Sequence, residues 1–404
     1  MTLASSSLVN VRAIKEATFG VTPGSGNPTN LRVTSESLSY DLSKKASDEI
    51  KSSRTVSSMI SVGATVTGNL AQEVHYAGIE PFMESALQST FTEFGTDGVG
   101  AATSTTSISA TEITAASATS GANIFTALKK GQWFRITSAG ANNGKILRVS
   151  TTTAPTTTVI TLDTNTPGAV SSSESIQIQA ARLTHGTTQT SWTIERENSD
   201  IGVFMAFKGC TPSKMSLKVA SGSLSTVSFD FMGQSALEGT ATMLPGTPVA
   251  APTYDIHSGV SGATNAIWMD GAPVSGTYVK SVSLDYDNAL RAQDAIGTLG
   301  AIGIGSGTLV AKATVEVYFA NKDLFTKFRQ NTNTSLIFAT TDSSGNGYIV
   351  TLPVACIESW KSNAGGKDQD QMMSMSLYAL SDDSNADATL RKAIFVDRIG
   401  SAVV

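Results

Sequence analysis

Few side chains in this 404-residue chain have the types and spacing for chemistry. Asp342-Ser343-Ser344-Gly345-Asn346-Gly347-Tyr348-Ile349 carries the oxygen donors and the glycine of the first eight positions of a calcium-binding loop. The twelfth position is Pro353, where a bidentate carboxylate is required, and no helical pattern flanks the segment. Asp and Gly are also turn formers, so the stretch reads as a hairpin turn between two strands. Gly303-Ile304-Gly305-Ser306-Gly307 has the glycine density of a phosphate loop but lacks the lysine and the following helix. It reads as a flexible turn. His75, His185 and His257 lie in separate segments without a shared motif, as strand or surface residues rather than ligands or bases. Cys210 and Cys356 are far apart and outside any CxxC pair. They read as two buried free thiols, with a single bridge as the alternative. HExxH, GxSxG and the phosphate-loop lysine motif are absent, and no carboxylate pair can be placed in a cleft for glycan cleavage. No catalytic, metal or cofactor-binding residue is therefore assigned, no cofactor is expected, and the chain does not read as an enzyme.

Composition narrows the class. Hydrophobic residues make up 40% of the chain, enough for ordinary cores, but charged residues only 15%. Ser, Thr, Gly and Ala fill the gap, which suits β-structure with many turns and closely packed surfaces. Net charge is −5, and no basic cluster exceeds the pairs Lys44-Lys45, Lys129-Lys130 and Arg391-Lys392. A nucleic-acid grip needs a basic stripe that displaces counterions, and none is visible. The first twenty residues lack the basic and apolar blocks of a signal peptide. No apolar run approaches the roughly 18 residues of a membrane span. The chain is expected to be made and folded in a cytoplasm.

Alternation at period two dominates, as in Ser281–Asp287, Ala313–Phe319, Val227–Phe231 and Met373–Leu377. These read as half-buried antiparallel strands. Two segments read as helices. In Ile79–Leu87 the apolar residues Ile79, Phe82, Met83, Ala86 and Leu87 share one face, and Pro81 suits a first turn. In Asn321–Phe328, Asn321 is placed to cap, and Leu324 and Phe328 share a face.

The two helices anchor an internal repeat of element order. A strand (Leu38, Tyr40, Leu42) leads into a polar arm, 43–63, then a strand (Val66, Leu70, Val74), the first helix, and strands Ser191–Glu197, Val203–Val219 and Ser225–Met232. A strand (Val282, Leu284, Tyr286) leads into a Gly-rich arm, 287–307, then Leu309–Phe319, the second helix, and strands Ser335–Thr341, Gly347–Trp360 and Asp370–Leu380. Neither arm has an evident core of its own. The first copy is interrupted by a Ser/Thr-rich segment, 101–182. There, Gly131–Ile136 and Ile146–Val149 flank the hairpin signal Asn142-Asn143-Gly144, followed by Thr157–Leu162 and Ser175–Gln179. It reads as a small five-stranded barrel inserted on the outside. The expected division is 1–100 with 183–245, the insert 101–182, and 246–404, with Leu244–Pro252 as a stiff linker.

Several segments resemble the duplicated major tail tube proteins of long-tailed, non-contractile bacteriophages. They are Glu16–Pro23, Ser47–Ile50 through Arg54, Gly68–Pro81, Ser191–Arg196, Ser228–Gly233 and Asp342–Pro353. Gly131–Ile136 and Asn142–Gly144 are similar to an accessory domain of such proteins. The resemblance implies a mainly β fold: two tandem tail-tube β-sandwich domains, each with one flanking helix, plus the inserted β-barrel-like domain. It implies a structural virion protein, assembled in the host bacterial cytoplasm, whose rings of six domains join inner sheets and stack into the tail. With two domains per chain, the ring would be a trimer of only approximate sixfold symmetry. Double-stranded DNA would pass through the lumen without specific binding during genome ejection. A tape measure would lie inside, with terminator and tip proteins at the ends. The arms would pack on neighbouring rings, with Lys44, Lys45, Asp48, Glu49, Arg54, Arg291 and Asp294 as candidate contact residues. Glu73, Asp230, Asp285 and Glu316 are candidate lumen-facing acids, although such strand faces could equally meet bulk solvent. A secreted or surface adhesive β-sandwich protein is the alternative that shares this composition.

Overall fold

A computed structural model describes residues 3–95, 98–116, 125–164, 169–259, 267–274, 278–319, 323–363 and 366–400. The first half contributes β1 (Val9–Lys15), β2 (Ser39–Ala46), β3 (Met59–Glu73) and α1 (Glu80–Leu87). The insert follows, with β4 (Thr103–Ile108), β5 (Glu112–Ala115), β6 (Trp133–Ser138), β7 (Ile146–Arg148), β8 (Val159–Thr161) and β9 (Ser175–Gln179). Then come β10 (Ala181–Thr184), β11 (Trp192–Asn198), β12 (Val203–Ala220), β13 (Thr226–Gly233) and β14 (Ser235–Gly239). The second half holds β15 (Val279–Asp287), β16 (Val310–Tyr318), α2 (Asp323–Gln330), β17 (Thr334–Thr341), β18 (Gly347–Asn363), β19 (Met372–Leu380) and β20 (Phe395–Ile399). The fold is mainly β, as the alternation requires. Both helices close on a left-handed residue, Gln88 (φ 53) and Asn331 (φ 51). The cap expected of Asn321 lies outside the described residues.

Strand pairing within each half follows one order: β2–β3–β13–β12 in the first and β15–β16–β19–β18 in the second. The two sets are themselves joined. The C-terminal part of β12 pairs antiparallel with β15, Lys214 opposite Asp287, Met215 opposite Tyr286 and Leu217 opposite Leu284. Eight strands thus make one continuous sheet, here called the inner sheet. Its apolar face carries Leu70, Phe229, Leu217, Leu284, Val315 and Leu377 in a core that runs unbroken across the joint.

β12 and β18 are long because each serves two sheets. The N-terminal part of β12 pairs with β11 and β14 in an outer sheet. The N-terminal part of β18 pairs with β17 and β20 in another. Strands that switch sheets this way turn the corners of sandwiches. The change comes near Gly209 (φ 70) and a bulge at Pro212/Lys214 in β12. The matching bulge in β18 lies between Ile357 and Ser359.

Some expectations need correction. The insert has six strands, in the order β7-β6-β9-β4-β5-β8. The sheet does not close as a ladder; its two ends meet at the single bridge Val149–Leu162. Its core is its own, built on Phe134, Leu147, Ile160 and Ile178. The first arm is partly strand, because β2 and β3 extend into it as far as Ala46–Met59. In the second arm, Arg291–Gln293 pairs with Gly303–Gly305, and Ala301 and Ile304 are buried. The proline linker is pinned to the first half, with Val249 exchanging backbone hydrogen bonds with Asn30 and Pro28 at 2.9 and 2.8 Å. Only Cys210 is a buried thiol; Cys356 is half-exposed, and both are free.

Candidate assembly surface

The polar face of the inner sheet follows from strand parity. Alternate residues of β3, β13, β15 and β16 enter the core, so Glu73, Asp230, Asp285 and Glu316 all fall on the opposite face. The structure therefore brings the four candidate acids to one surface. Asn69 Nδ2 donates to Asp230 Oδ1 (2.6 Å), Ser216 Oγ to Asp285 Oδ1 (2.6 Å) and Ser281 Oγ to Glu316 Oε2 (2.8 Å). The same face carries lysines that sequence reading passed over. Lys214 Nζ lies 3.0 Å from Asp287 Oδ2 across the β12–β15 joint, and Lys312 Nζ 2.8 Å from Glu358. The hydrogen bond from Lys214 to Asp287, and then the carboxylate's charge, hold its ammonium above the ordinary lysine pKa. A groove of about 410 Å³ runs along the joint between Lys214, Ser228, Asp285 and Lys312.

The seven candidate arm residues, Lys44, Lys45, Asp48, Glu49, Arg54, Arg291 and Asp294, are all exposed. Around them the first arm also exposes Ile50, Val56, Met59, Ile60 and Val62. The second arm instead folds back onto the first half. Leu299 O accepts from Ala64 N (2.8 Å), Ala301 O from Gln234 Nε2 (2.8 Å), and Ser306 Oγ from Gln88 Nε2 (2.6 Å).

The insert sits on the far side of the sandwich. Ile337 and Ile349 point away from the core, their neighbours Leu336, Phe338, Tyr348 and Val350 into it. Trp133 and Ile146 of the insert pack on Ile337, Ile349, Ile399 and Trp268, with the two indoles 5.0 Å apart. Arg182 grips Asp397 through two bonds of 2.6 and 2.8 Å, and Asp397 also accepts from Trp133 N (3.1 Å). Arg135 NH1 donates to Asn346 Oδ1 (3.1 Å). Asn346 belongs to the calcium-loop lookalike, which is a hairpin turn: Asp342 Oδ1 accepts from the backbone N–H groups of Ser344 and Asn346. Among the described residues, no group of three or more His, Cys, Asp or Glu side chains converges on a point.

The segment that begins at Glu16 also finds its reason. Glu16, buried, accepts from Gly20 N, Gly209 N, Ser191 Oγ and Thr193 Oγ1 at 2.6–2.9 Å, so its carboxylate is fully hydrogen-bonded. That constellation ties 16–20 to β11 and to the corner of β12.

The family model described as phage tail tube protein matches residues 6–389. The chain belongs to the phage tail tube protein family. No curated protein is detectably similar to it in sequence. As a tail tube protein it is a structural component of the virion tail, and its family assembles with itself and with other tail proteins. The adhesive reading is not favoured. No helix among the described residues is long and apolar enough to cross a membrane.

Proposed function

We propose that three copies of this tail tube protein close a ring, and that stacked rings form the genome channel of a long-tailed, non-contractile phage. The observation that carries this is the β12–β15 joint, which sets two four-strand units of identical pairing order side by side in one sheet. On this reading the chain is a duplicated tube domain, 1–100 with 183–245 and then 246–404. Three chains supply six units, and the ring is sixfold only approximately. A sheet whose edges are all paired by closure has none left to aggregate.

The polar face of the inner sheet would line the lumen, with Glu73, Asp230, Asp285 and Glu316 among its acids. The lysines there are partly tied to carboxylates, as Lys214 is to Asp287 and Lys312 to Glu358. Such a wall offers passing DNA little counterion release, so the duplex slides rather than sticks. The insert 101–182 would stand outside, because it docks on the outer face of an outer sheet. Rings would form in the host bacterial cytoplasm around a tape measure protein and be closed off by terminator and tip proteins, with the exposed first arm reaching a neighbouring ring. A cryo-EM map of the assembled tube tests the proposal. Three chains and three protrusions per ring are expected; six chains per ring, or a second half with no strand in the lumen wall, would overturn it.

A further inference from the structure

Among the described residues, the inner sheet ends in two unpaired edges, β2 on one side and the C-terminal part of β18 on the other. We infer that β18 of one chain pairs with β2 of a second copy in the register of the internal β12–β15 joint, setting Ser359 opposite Asp41, Trp360 opposite Tyr40 and Lys361 opposite Ser39. This inference rests on the ring reading and goes beyond it by fixing which residues meet.

The register comes from laying one half on the other by its ladders. In the first half Tyr40 faces Val66, and in the second Tyr286 faces Ala311. Counting along the next strands, Asp230 faces Lys214 just past the β12 bulge, and Ser376 faces Ser359 just past the β18 bulge. Aligning the bulges makes Lys214 equivalent to Ser359, Met215 to Trp360 and Ser216 to Lys361. It simultaneously makes Tyr40 equivalent to Tyr286 and Asp41 to Asp287. The sequence agrees: Ser37-Leu38-Ser39-Tyr40-Asp41 matches Ser283-Leu284-Asp285-Tyr286-Asp287 at all but the middle position. Two independent landmarks, a bulge and a short identity, therefore give one register.

The chemistry at the edges suits that pairing. In the internal joint, Met215 and Tyr286 are both 2% exposed. Their counterparts Trp360 and Tyr40 are half-buried, Trp360 with Phe325 and Phe319 already against its ring. Placed opposite one another on the apolar face, they form an aromatic cross-strand pair. On the polar face, Ser359 would donate to Asp41 as Ser216 does to Asp285 (2.6 Å). Lys361 would sit diagonal to Asp41, within reach of a long side chain. A slip by one residue would turn Trp360 against a polar side chain and expose Tyr40 to the lumen face, so the register is strongly specified.

Cysteine cross-linking in the full chain tests this, with Cys356→Ser to remove the half-exposed thiol. Directly opposed antiparallel residues have Cα atoms about 4.5–5.5 Å apart, within disulfide range, whereas pairs offset by two are about 7–8 Å apart. Ser39→Cys with Lys361→Cys is expected to give, after mild oxidation of assembled tubes, a ladder ending at three chain masses on a non-reducing gel. Asp41→Cys with Lys361→Cys, offset by two, is expected to give less than a tenth as much. If the offset pair links better, the register is wrong although the ring stands. If rings are visible by electron microscopy and neither pair links, these edges do not meet and the inference fails alone. If tubes without the engineered cysteines prove to have six chains per ring, both it and the ring reading fail. A Trp360→Ala variant gives a second readout: it should melt lower, having lost its contacts with Phe325 and Met373, yet still melt cooperatively and stay monomeric at concentrations where the parent assembles, and normal assembly would count against the aromatic pair.

Discussion

Replacing Asp397 by alanine should unlatch the insert from the body. Asp397 is fully buried and Arg182 is 7% exposed. Removing the carboxylate strands a buried guanidinium, a loss worth about 3–5 kcal/mol, and deprives Trp133 N of its acceptor at about a further 1 kcal/mol. A local loss of about 4 kcal/mol raises the open fraction roughly 10³-fold, since about 1.4 kcal/mol is one decade. The assay is amide hydrogen exchange on 133–138 and 395–399, because a chain with several units need not unfold in one step. Arg182→Met with Asp397→Leu replaces the pair by packed apolar groups and should recover most of the loss. It falls short because Lys130 O and Gly131 O lose the donors that Arg182 supplies. Exchange in 133–138 rising less than tenfold in Asp397→Ala, or a double variant as open as the single, would refute the reasoning. The clamp also means that excising 101–182 uncovers Trp268, Ile337, Ile349 and Ile399, so the deletion should fold only if those are made polar.

Three further outcomes are expected. Gly68→Ala should cost about 2 kcal/mol or more, because at φ +151 its Cβ would lie 2.5 Å from Leu38 Cα and from Ser37 O, whereas Gly222→Ala, with open space, should cost only the roughly 1–2 kcal/mol of its left-handed backbone; thermal melting separates the two. Burial lowers His257 to about 4 from its ordinary 6.5, so its contribution is intact above pH 6.5 and drains away as pH falls toward 4. That amounts to about 3 kcal/mol, visible as a steep fall in melting temperature that His257→Gln flattens. Cys356 should react with a maleimide in the native chain and Cys210 only after unfolding, because burial both shields the Cys210 thiol and raises its pKa; equal labelling rates would count against the packing at the β12 corner.

The alternating strands and both helices were legible because each is a local pattern: Val282, Leu284 and Tyr286 enter the core as their spacing requires. What stayed hidden is of two kinds. Some strands carry the wrong side chains for the pattern. β4 buries Thr103 and Thr105 where apolar residues are expected, and β20 buries Asp397 and Arg398 in a run with no exposed position. Their satisfaction comes from distant partners, Arg182 for Asp397 and Glu80 and Glu93 for Arg398. The other kind is pairing between segments remote in sequence, above all β12 with β15. Of the surface residues, the four acids share a face that parity alone could have given, but the interleaved lysines show that the face is mixed in sign.

The place of β20 has a consequence for synthesis. It emerges from a ribosome after both of its neighbours, yet it lies between β18 and β10, pairing with both. Contacts that span some two hundred residues close slowly and late. A nascent chain can therefore pair β2, β3, β13 and β12 while the insert's landing site is still missing its Asp397 and Ile399. Any product broken off before Phe395 keeps an open seam and a loose insert.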